Sequence, residues 1–373
     1  MSEQRIGSAK QEYGFLYEWL KKYENEPVML VCGTSFDGLD ISHYLKKYAS
    51  EWNIPITRFG EFAPNPDYAS VEKGVAVFNE NHCSALIAVG GGSAMDVAKC
   101  IKLYHTMDRE TCFLEQTIIP NTTELFAVPT TAGTGSEATR YAVIYYKGEK
   151  QSVAHESCIP GFVLFDPSVL TTLNDYHRKA SMLDALCHAI ESFWSVNSTA
   201  ESMDYSAKAI RMIYENAEGY LKNRPEENEN MLQAAYLAGK AINITQTTAG
   251  HAMCYKLTSL YQLAHGFAAA VCTSRLWLYM LENMDNCVDS RGKQHLTEVF
   301  RGLAKASGCR DEKEAAQKFF CLVTGLTGDL HFDAKDMDCL VDSVNPVRLK
   351  NHPVKLEKED IKYLYGEIFK GEG

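Results

Sequence analysis

The segment Ala85-Leu86-Ile87-Ala88-Val89 runs straight into Gly90-Gly91-Gly92-Ser93 and then into Ala94 to Tyr104, an amphipathic stretch. An apolar run that short, closed by glycines and followed by helical spacing, predicts a strand, a tight turn and a helix in succession. The pattern recurs. Pro27 to Val31 (PVMLV), Leu125 to Val128 (LFAV) and Gly161 to Phe165 (GFVLF) also read as strands, and Tyr68 to Asn81, with Val71, Val75, Val77 and Phe78, reads as a helix. Alternation of this kind builds βαβ units and a parallel sheet with helices on its faces.

After Asp166-Pro167 the strand signals fade, and helical patterns continue to about Phe369. The expected boundary is near residue 168, with an α/β domain over 1–168 and an all-helical domain over 169–373. A chain of 373 residues, 46% of them hydrophobic, is long enough for two cores. Asn223 to Asn230 (NRPEENEN) reads as a polar inter-helix loop, and Asn345 to Pro353 (NPVRLKNHP) as a proline-flanked connection.

Charge narrows the partners. Forty-eight acidic and 37 basic side chains give a net charge of -11, which opposes binding to nucleic acid or to an anionic membrane. No apolar run approaches the roughly 20 residues of a bilayer span, and the first residues are too polar for a secretory signal. A soluble, unexported, cytoplasmic protein is expected. The 12 cysteines are scattered without CxxC pairs, as suits reduced thiols buried as small hydrophobes.

The glycine turn offers bare backbone N–H groups at a helix N-terminus, where phosphate oxygens bind well, although purely structural turns use glycines too. It is not a GxGxxG fingerprint, because Met95 stands where the third glycine belongs. A second turn, Pro129-Thr130-Thr131-Ala132-Gly133-Thr134-Gly135-Ser136-Glu137, also follows an apolar strand. Two such turns at two strand ends suit a long ligand with a pyrophosphate.

Asp184 and His188 in SMLDALCHAIESF are four residues apart in a helical stretch and share a face. Alone, such a pair is a common helix salt bridge. Downstream, His251 opens an apolar helical segment and His265 precedes a glycine in TTAGHAMCYKLTSLYQLAHGFAAAV. Three imidazoles and a carboxylate suit a divalent metal, Fe²⁺ or Zn²⁺, with room for a substrate oxygen.

Together, GGGSAMDVAK, PTTAGTGSEAT, DALCHAIESF and the His-x13-His-Gly segment resemble the iron-containing (group III) alcohol dehydrogenase family, in that family's order and over nearly the whole chain. The resemblance implies an N-terminal Rossmann-like dinucleotide-binding domain, an all-helical metal-binding domain of dehydroquinate synthase-like fold, and an active site in the cleft between them. It places Asp184, His188, His251 and His265 on the metal ligands. Gly91, Gly92, Ser93 and Asp96 fall on the pyrophosphate turn, Thr130 and Thr131 on the threonine pair beside the cofactor, Asn65 on another cofactor contact and Lys150 on the ribose-side lysine.

Two departures from the family pattern matter. Gly33 stands where NAD-preferring members carry an aspartate for the ribose hydroxyls, which leaves NADP admissible beside NAD. Tyr255 stands four residues after His251, where many members have a second histidine that assists proton transfer, so either its hydroxyl substitutes or the proton leaves otherwise. The tract HAMCYKLTSLYQLAHG is most similar to the branch that reduces phosphonoacetaldehyde in phosphonate metabolism. A dianionic substrate needs nearby cations, and Arg140, Lys256 and Arg275 are the candidates.

The function implied is a metal-dependent, NAD(P)-linked alcohol dehydrogenase acting on a small primary alcohol and aldehyde pair. Alternatives are a glycerol dehydrogenase-like polyol oxidoreductase, a dehydroquinate synthase-like lyase, and a non-catalytic nucleotide-binding protein. The sequence leaves the oligomeric state open, a homodimer included.

Overall fold

The computed structural model describes residues 4–328 and 330–370. The chain divides into two compact units: the first runs to Thr131 and resumes over Gly135–Leu173, and the second comprises Ala132–Thr134 and the chain from Asn174.

The first unit contains strands β1 (Arg5–Ser8), β2 (Val28–Cys32), β3 (Ile56–Phe59), β4 (Ala85–Gly90), β5 (Glu124–Pro129), β6 (Tyr141–Tyr146), β7 (Glu149–Ala154) and β8 (Phe162–Phe165). Its helices are α1 (Lys10–Leu20), α2 (Asp40–Glu51), α3 (Tyr68–Glu80) and α4 (Gly92–Tyr104). Six strands form a parallel sheet in the order β1-β8-β5-β4-β2-β3. Every residue of β2 and β8, and Ala85–Val89 of β4, is buried, so the central strands read as continuous apolar runs because both faces are covered.

The chain passes from β2 outward to β3 and then back across β2 to β4. This reversal makes a topological switch point at the carboxyl ends of β2 and β4, the place where open parallel sheets bind ligands. Gly33 follows β2 there, and the glycine turn follows β4. Gly90 pairs with Pro129 in the β4–β5 register, so the second turn leaves from the same level on the neighbouring strand.

The strands and helices expected from the sequence in this half lie within a few residues of their predicted ends. The β6–β7 hairpin was not expected. Lys147 and Gly148 between its strands both have positive φ, as a two-residue hairpin turn of mirror-image type requires.

The second unit is helical: α5 (Asp175–Trp194), α6 (Ala200–Leu221), α7 (Pro225–Thr245), α8 (Ala249–Tyr261), α9 (His265–Glu282), α10 (Gly292–Ala306), α11 (Glu312–Thr327), α12 (Met337–Ser343), α13 (Pro346–Leu349) and α14 (Lys358–Phe369). Helix α5 is buried from Met182 to Trp194, and Trp194 meets Trp277 of α9 edge-on. No helix among the described residues is long and apolar enough to cross a membrane.

Two expected loops are corrected here. Most of NRPEENEN is the first turn and a half of α7, with Pro225 at its start and Glu226 and Glu227 in its first turn. Proline preset for helix and acids at the positive end explain why so polar a run is helical. The Asn345 to Pro353 connection likewise contains α13, capped by the Asn345 side chain on the Val347 amide.

Candidate active site

Helix α5 carries Asp184, His188 and Glu191 on one face, at spacings of four and three residues. His251 lies in the first turn of α8 and His265 is the first residue of α9; Gln262, in the left-handed region, ends α8 between them. The single downstream apolar segment of the sequence is therefore two helices, and the break lets both histidines reach α5.

Glycines beside each histidine make that approach possible. A Cβ on Gly250 would lie 2.2 Å from Thr273 Oγ1 and 2.6 Å from Glu191 Oε1, and one on Gly266 would lie 1.9 Å from the Ala180 carbonyl oxygen.

Three imidazole nitrogens converge on one carboxylate oxygen. Asp184 Oδ1 lies 3.8 Å from His188 Nε2, 3.5 Å from His251 Nε2 and 3.9 Å from His265 Nε2. Asp184 Oδ1 and His251 Nε2 are buried, yet neither has a hydrogen-bond partner. Burying such atoms unpaired is costly, so the arrangement calls for something between them. Donors around a tetrahedral metal with bonds of about 2.0–2.2 Å sit about 3.3–3.6 Å apart, close to the spacing found. Asp184, His188 and His251 form a compact buried group that could hold an ion, and the more exposed His265 lies beside it, 3.9 Å from Asp184 Oδ1.

The electrostatics agree with a cation there. Burial alone would raise the Asp184 carboxyl, but the charge of His188, then His251 and His265, holds it well below the carboxylate range. Burial lowers His188, favouring its neutral, lone-pair form. Burial works to lower His251 too, but Glu191 and Asp184 push it up to about 9, so the pocket favours positive charge.

Glu191 is a residue of the cluster that its sequence pattern left unassigned. Its Oε1 accepts a 2.6 Å hydrogen bond from His251 Nδ1 and a 3.1 Å one from the Thr273 hydroxyl. Its Oε2 accepts from the Thr248 amide and hydroxyl at 2.6 and 2.7 Å. Burial opposes its charge, but His251 and Thr248 bring it down to about 2. An Nδ1 proton fixed on Glu191 turns Nε2 toward Asp184, where a bound metal would take the place of a second proton. The signal was present in DALCHAIE, because Glu191 is seven residues from Asp184 on the same helical face.

In the first unit, Gly91 begins α4 without a side-chain cap, leaving the first amides of the helix available to an anion. Ser93 Oγ accepts from the Asn65 amide at 3.3 Å, which brings Asn65 to the turn, and Thr131 lies beside Gly91. Asp96 accepts from Ser136 Oγ at 3.0 Å; burial raises its carboxyl, while Lys99 and, more weakly, Lys150 lower it. Buried Lys99, also missed, donates to Ser136 O, Thr139 Oγ1 and Tyr141 O at 2.6, 3.1 and 2.7 Å, pinning the segment after the second turn to α4. Gly33 has open space where a Cβ would stand. Its carbonyl accepts from Arg58 Nη2 at 2.9 Å, and Arg58 Nη1 pairs with Asp37 at 2.6 Å.

Two of the proposed substrate cations, Lys256 and Arg275, belong to the helical unit, and Arg140 belongs to the first. Arg275 lies ten residues beyond His265 on α9, about 15 Å along the helix, with its guanidinium 4.3 Å from the Phe320 ring centre. Arg140, in the first unit, pairs with Glu156 at 2.8 Å. Lys256 is half-buried on α8 beside Tyr255. The Tyr255 ring stacks on His265 at 5.8 Å, and its hydroxyl accepts from Arg348 at 3.2 Å. Burial pushes the Tyr255 hydroxyl well above the usual phenol value, against the pull of Arg348.

A parallel-sheet unit with an anion-ready turn and a helical unit with a cluster of one aspartate and three histidines define a metal-assisted oxidoreductase of the alcohol dehydrogenase class. Residues 4–167 match the family model for iron-containing alcohol dehydrogenase, and residues 179–369 match that for the C-terminal part of the Fe-containing alcohol dehydrogenase family. The chain belongs to the iron-containing alcohol dehydrogenase family and is an oxidoreductase acting on alcohols.

Among its relatives is phosphonoacetaldehyde reductase of Streptomyces viridochromogenes, 31% identical over 299 residues and covering 75% of each chain. Similar solved structures include sulfoacetaldehyde reductase from Bifidobacterium kashiwanohense in complex with NAD+, with a TM-score of 0.85, 22% identity and coverage of 100% of this chain and 98% of that one. An iron-containing alcohol dehydrogenase from Thermococcus thioreducens superposes with a TM-score of 0.88, 21% identity and full coverage of both chains.

Proposed function

We propose that the protein interconverts a small aldehyde and its primary alcohol, using a nicotinamide dinucleotide and one divalent metal. The observation that carries this reading is the convergence of three imidazole Nε2 atoms on Asp184 Oδ1. Asp184, His188, His251 and His265 would hold the metal in the helical domain (169–373), and Gly91, Gly92 and Ser93 would hold the pyrophosphate in the α/β domain (1–168). When bound, the metal supplies Lewis acidity toward a carbonyl oxygen and the nicotinamide supplies or takes the hydride.

The chain's own residues set charge and geometry. Asp184 offsets positive charge, Glu191 fixes the His251 ring, and Asn65, Asp96, Thr130, Thr131 and Lys150 place the dinucleotide. Tyr255 keeps its proton and serves as a hydrogen-bonding group beside His265. Gly33, without a carboxylate, and Arg58, whose guanidinium reaches the Gly33 carbonyl, support acceptance of NADPH as well as NADH. The relation to phosphonoacetaldehyde reductase supports phosphonoacetaldehyde, reduced to 2-hydroxyethylphosphonate, as the substrate. Twelve cysteines, none in a disulfide, support a cytoplasmic setting.

The deciding experiment assays metal-stripped protein, reloaded with Fe²⁺ or Zn²⁺, against anionic and neutral aldehydes with NADH and NADPH. Metal-dependent reduction is the expected result. Full activity in stripped protein, or no reduction of any aldehyde, would overturn the reading.

A further inference from the structure

We infer that Arg348 is the cation that recognises the charged end of the substrate, an aldehyde bearing a phosphonate; the inference rests on the reading above and adds to it the residue that sets specificity. The short helix α13 places Arg348 against α8, where Nη1 donates to Tyr255 Oη at 3.2 Å and the guanidinium lies 5.0 Å from the Tyr255 ring centre. Tyr255 in turn lies nearly parallel to the His265 ring, at 11° and 5.8 Å. Arg348 is thus one aromatic ring away from the aspartate–histidine cluster.

Among the described residues its charge is met by the Tyr255 ring and hydroxyl but by no anion. Arg348 is half-buried, and no carboxylate among the described residues pairs with it, whereas Arg58, Arg140 and Arg291 each have one. A guanidinium has five donors, and the tyrosine hydroxyl takes one. A partly desolvated cation without a countercharge is a standing cost that a bound oxyanion relieves. A tetrahedral phosphonate can accept two parallel N–H bonds from the guanidinium, which an uncharged alkyl end cannot. The net charge of -11 does not prevent this, because repulsion from distant acids is screened within about 8 Å at physiological salt. The short helix carrying Arg348 lies in a stretch that reads as a connection in the sequence, which is why pattern alone pointed to other cations.

The test compares metal-loaded wild type with Arg348→Met and Arg348→Lys. For phosphonoacetaldehyde, Arg348→Met is expected to lower kcat/KM at least 50-fold, chiefly through KM, while kcat/KM for butanal changes less than threefold and metal content stays the same. Arg348→Lys, which keeps the charge but loses the fork, should recover part of the loss. Calorimetry with ethylphosphonate, which cannot react, should show at least a tenfold loss of affinity in Arg348→Met, and wild type should bind ethylphosphonate more tightly than ethanesulfonate.

Wild type that discriminates between the two aldehydes, together with an Arg348→Met variant that discriminates equally well, would overturn the role of Arg348 alone. An equal fall for both aldehydes would also overturn it, reducing Arg348 to a support for Tyr255. Tighter binding of ethanesulfonate would overturn phosphonate as the recognised group. Wild type that reduces butanal as well as phosphonoacetaldehyde and does not bind ethylphosphonate would overturn both the charged substrate and this role, leaving the dehydrogenase intact.

Discussion

Glu191 Oε1 sits 2.6 Å from His251 Nδ1, and both side chains are shut away from water, at 0% and 2% exposure. The carboxylate fixes the ring's tautomer and makes Nε2 the more basic. Partners of this kind are typically worth 10–100-fold in metal affinity. Glu191→Gln should therefore lower affinity for Zn²⁺ or Fe²⁺ by about that factor while the circular dichroism spectrum is unchanged. Chelator competition measures it, and equal affinities in a folded variant would remove Glu191 from the site.

Gly266 tests how the cluster is assembled. Gly266→Ala would drive a Cβ to 1.9 Å from the Ala180 carbonyl, and backbone at that point cannot turn aside. The start of α9 must shift from α5, and His265 with it. The expected result is a destabilisation of at least about 2 kcal/mol, from overpacking, together with reduced metal content. Gly325, exposed in α11 with nothing near its absent Cβ, is the control, where alanine should stabilise by about 0.5–1 kcal/mol. The same sign at both positions in denaturant melts would refute the packing account.

The central strands were legible because burial on both faces leaves runs such as ALIAV with no polar interruption. The edge strands were not: β1 (RIGS) and β3 (ITRF) carry exposed charged residues and are held mainly by pairing with β8 and β2. Asp184 and His188 could be found from helical spacing, but bringing His251 and His265 to them depends on a helix break at Gln262 and on two glycines whose importance lies in what they touch. Glu191 was legible in principle, seven residues after Asp184 on the same helical face, whereas Arg348 meets Tyr255 across 93 residues that no local pattern spans. Polarity misled at Pro225, where proline and acids together start a helix.

Cofactor choice depends on Gly33. Gly33→Asp would add a second carboxylate near Arg58, which already pairs with Asp37, and would repel a 2′-phosphate. The ratio of kcat/KM for NADPH to that for NADH should fall at least tenfold, about 1.4 kcal/mol. Arg58→Ala should lower the ratio in the same direction by weakening NADPH. A wild type restricted to NADH at every attainable NADPH concentration would contradict both expectations.

The buried acid of the second turn predicts a pH dependence of stability. Glu137 is 2% exposed, and burial raises its carboxyl from 4.5 to about 7, against the lowering effects of its own backbone and of Lys99. The folded state therefore holds this proton more tightly than the unfolded chain does. Below pH 4.5 both states are protonated and the group has no effect; between 4.5 and about 7 the folded state binds the extra proton, so stability falls as pH rises, and above 7 the loss is complete. A shift of that size corresponds to about 3 kcal/mol. Glu137→Gln, neutral at every pH, should remove this component, so that denaturation midpoints at pH 5 and pH 8 differ less in the variant than in wild type. Identical pH profiles for the two proteins would place the titration elsewhere.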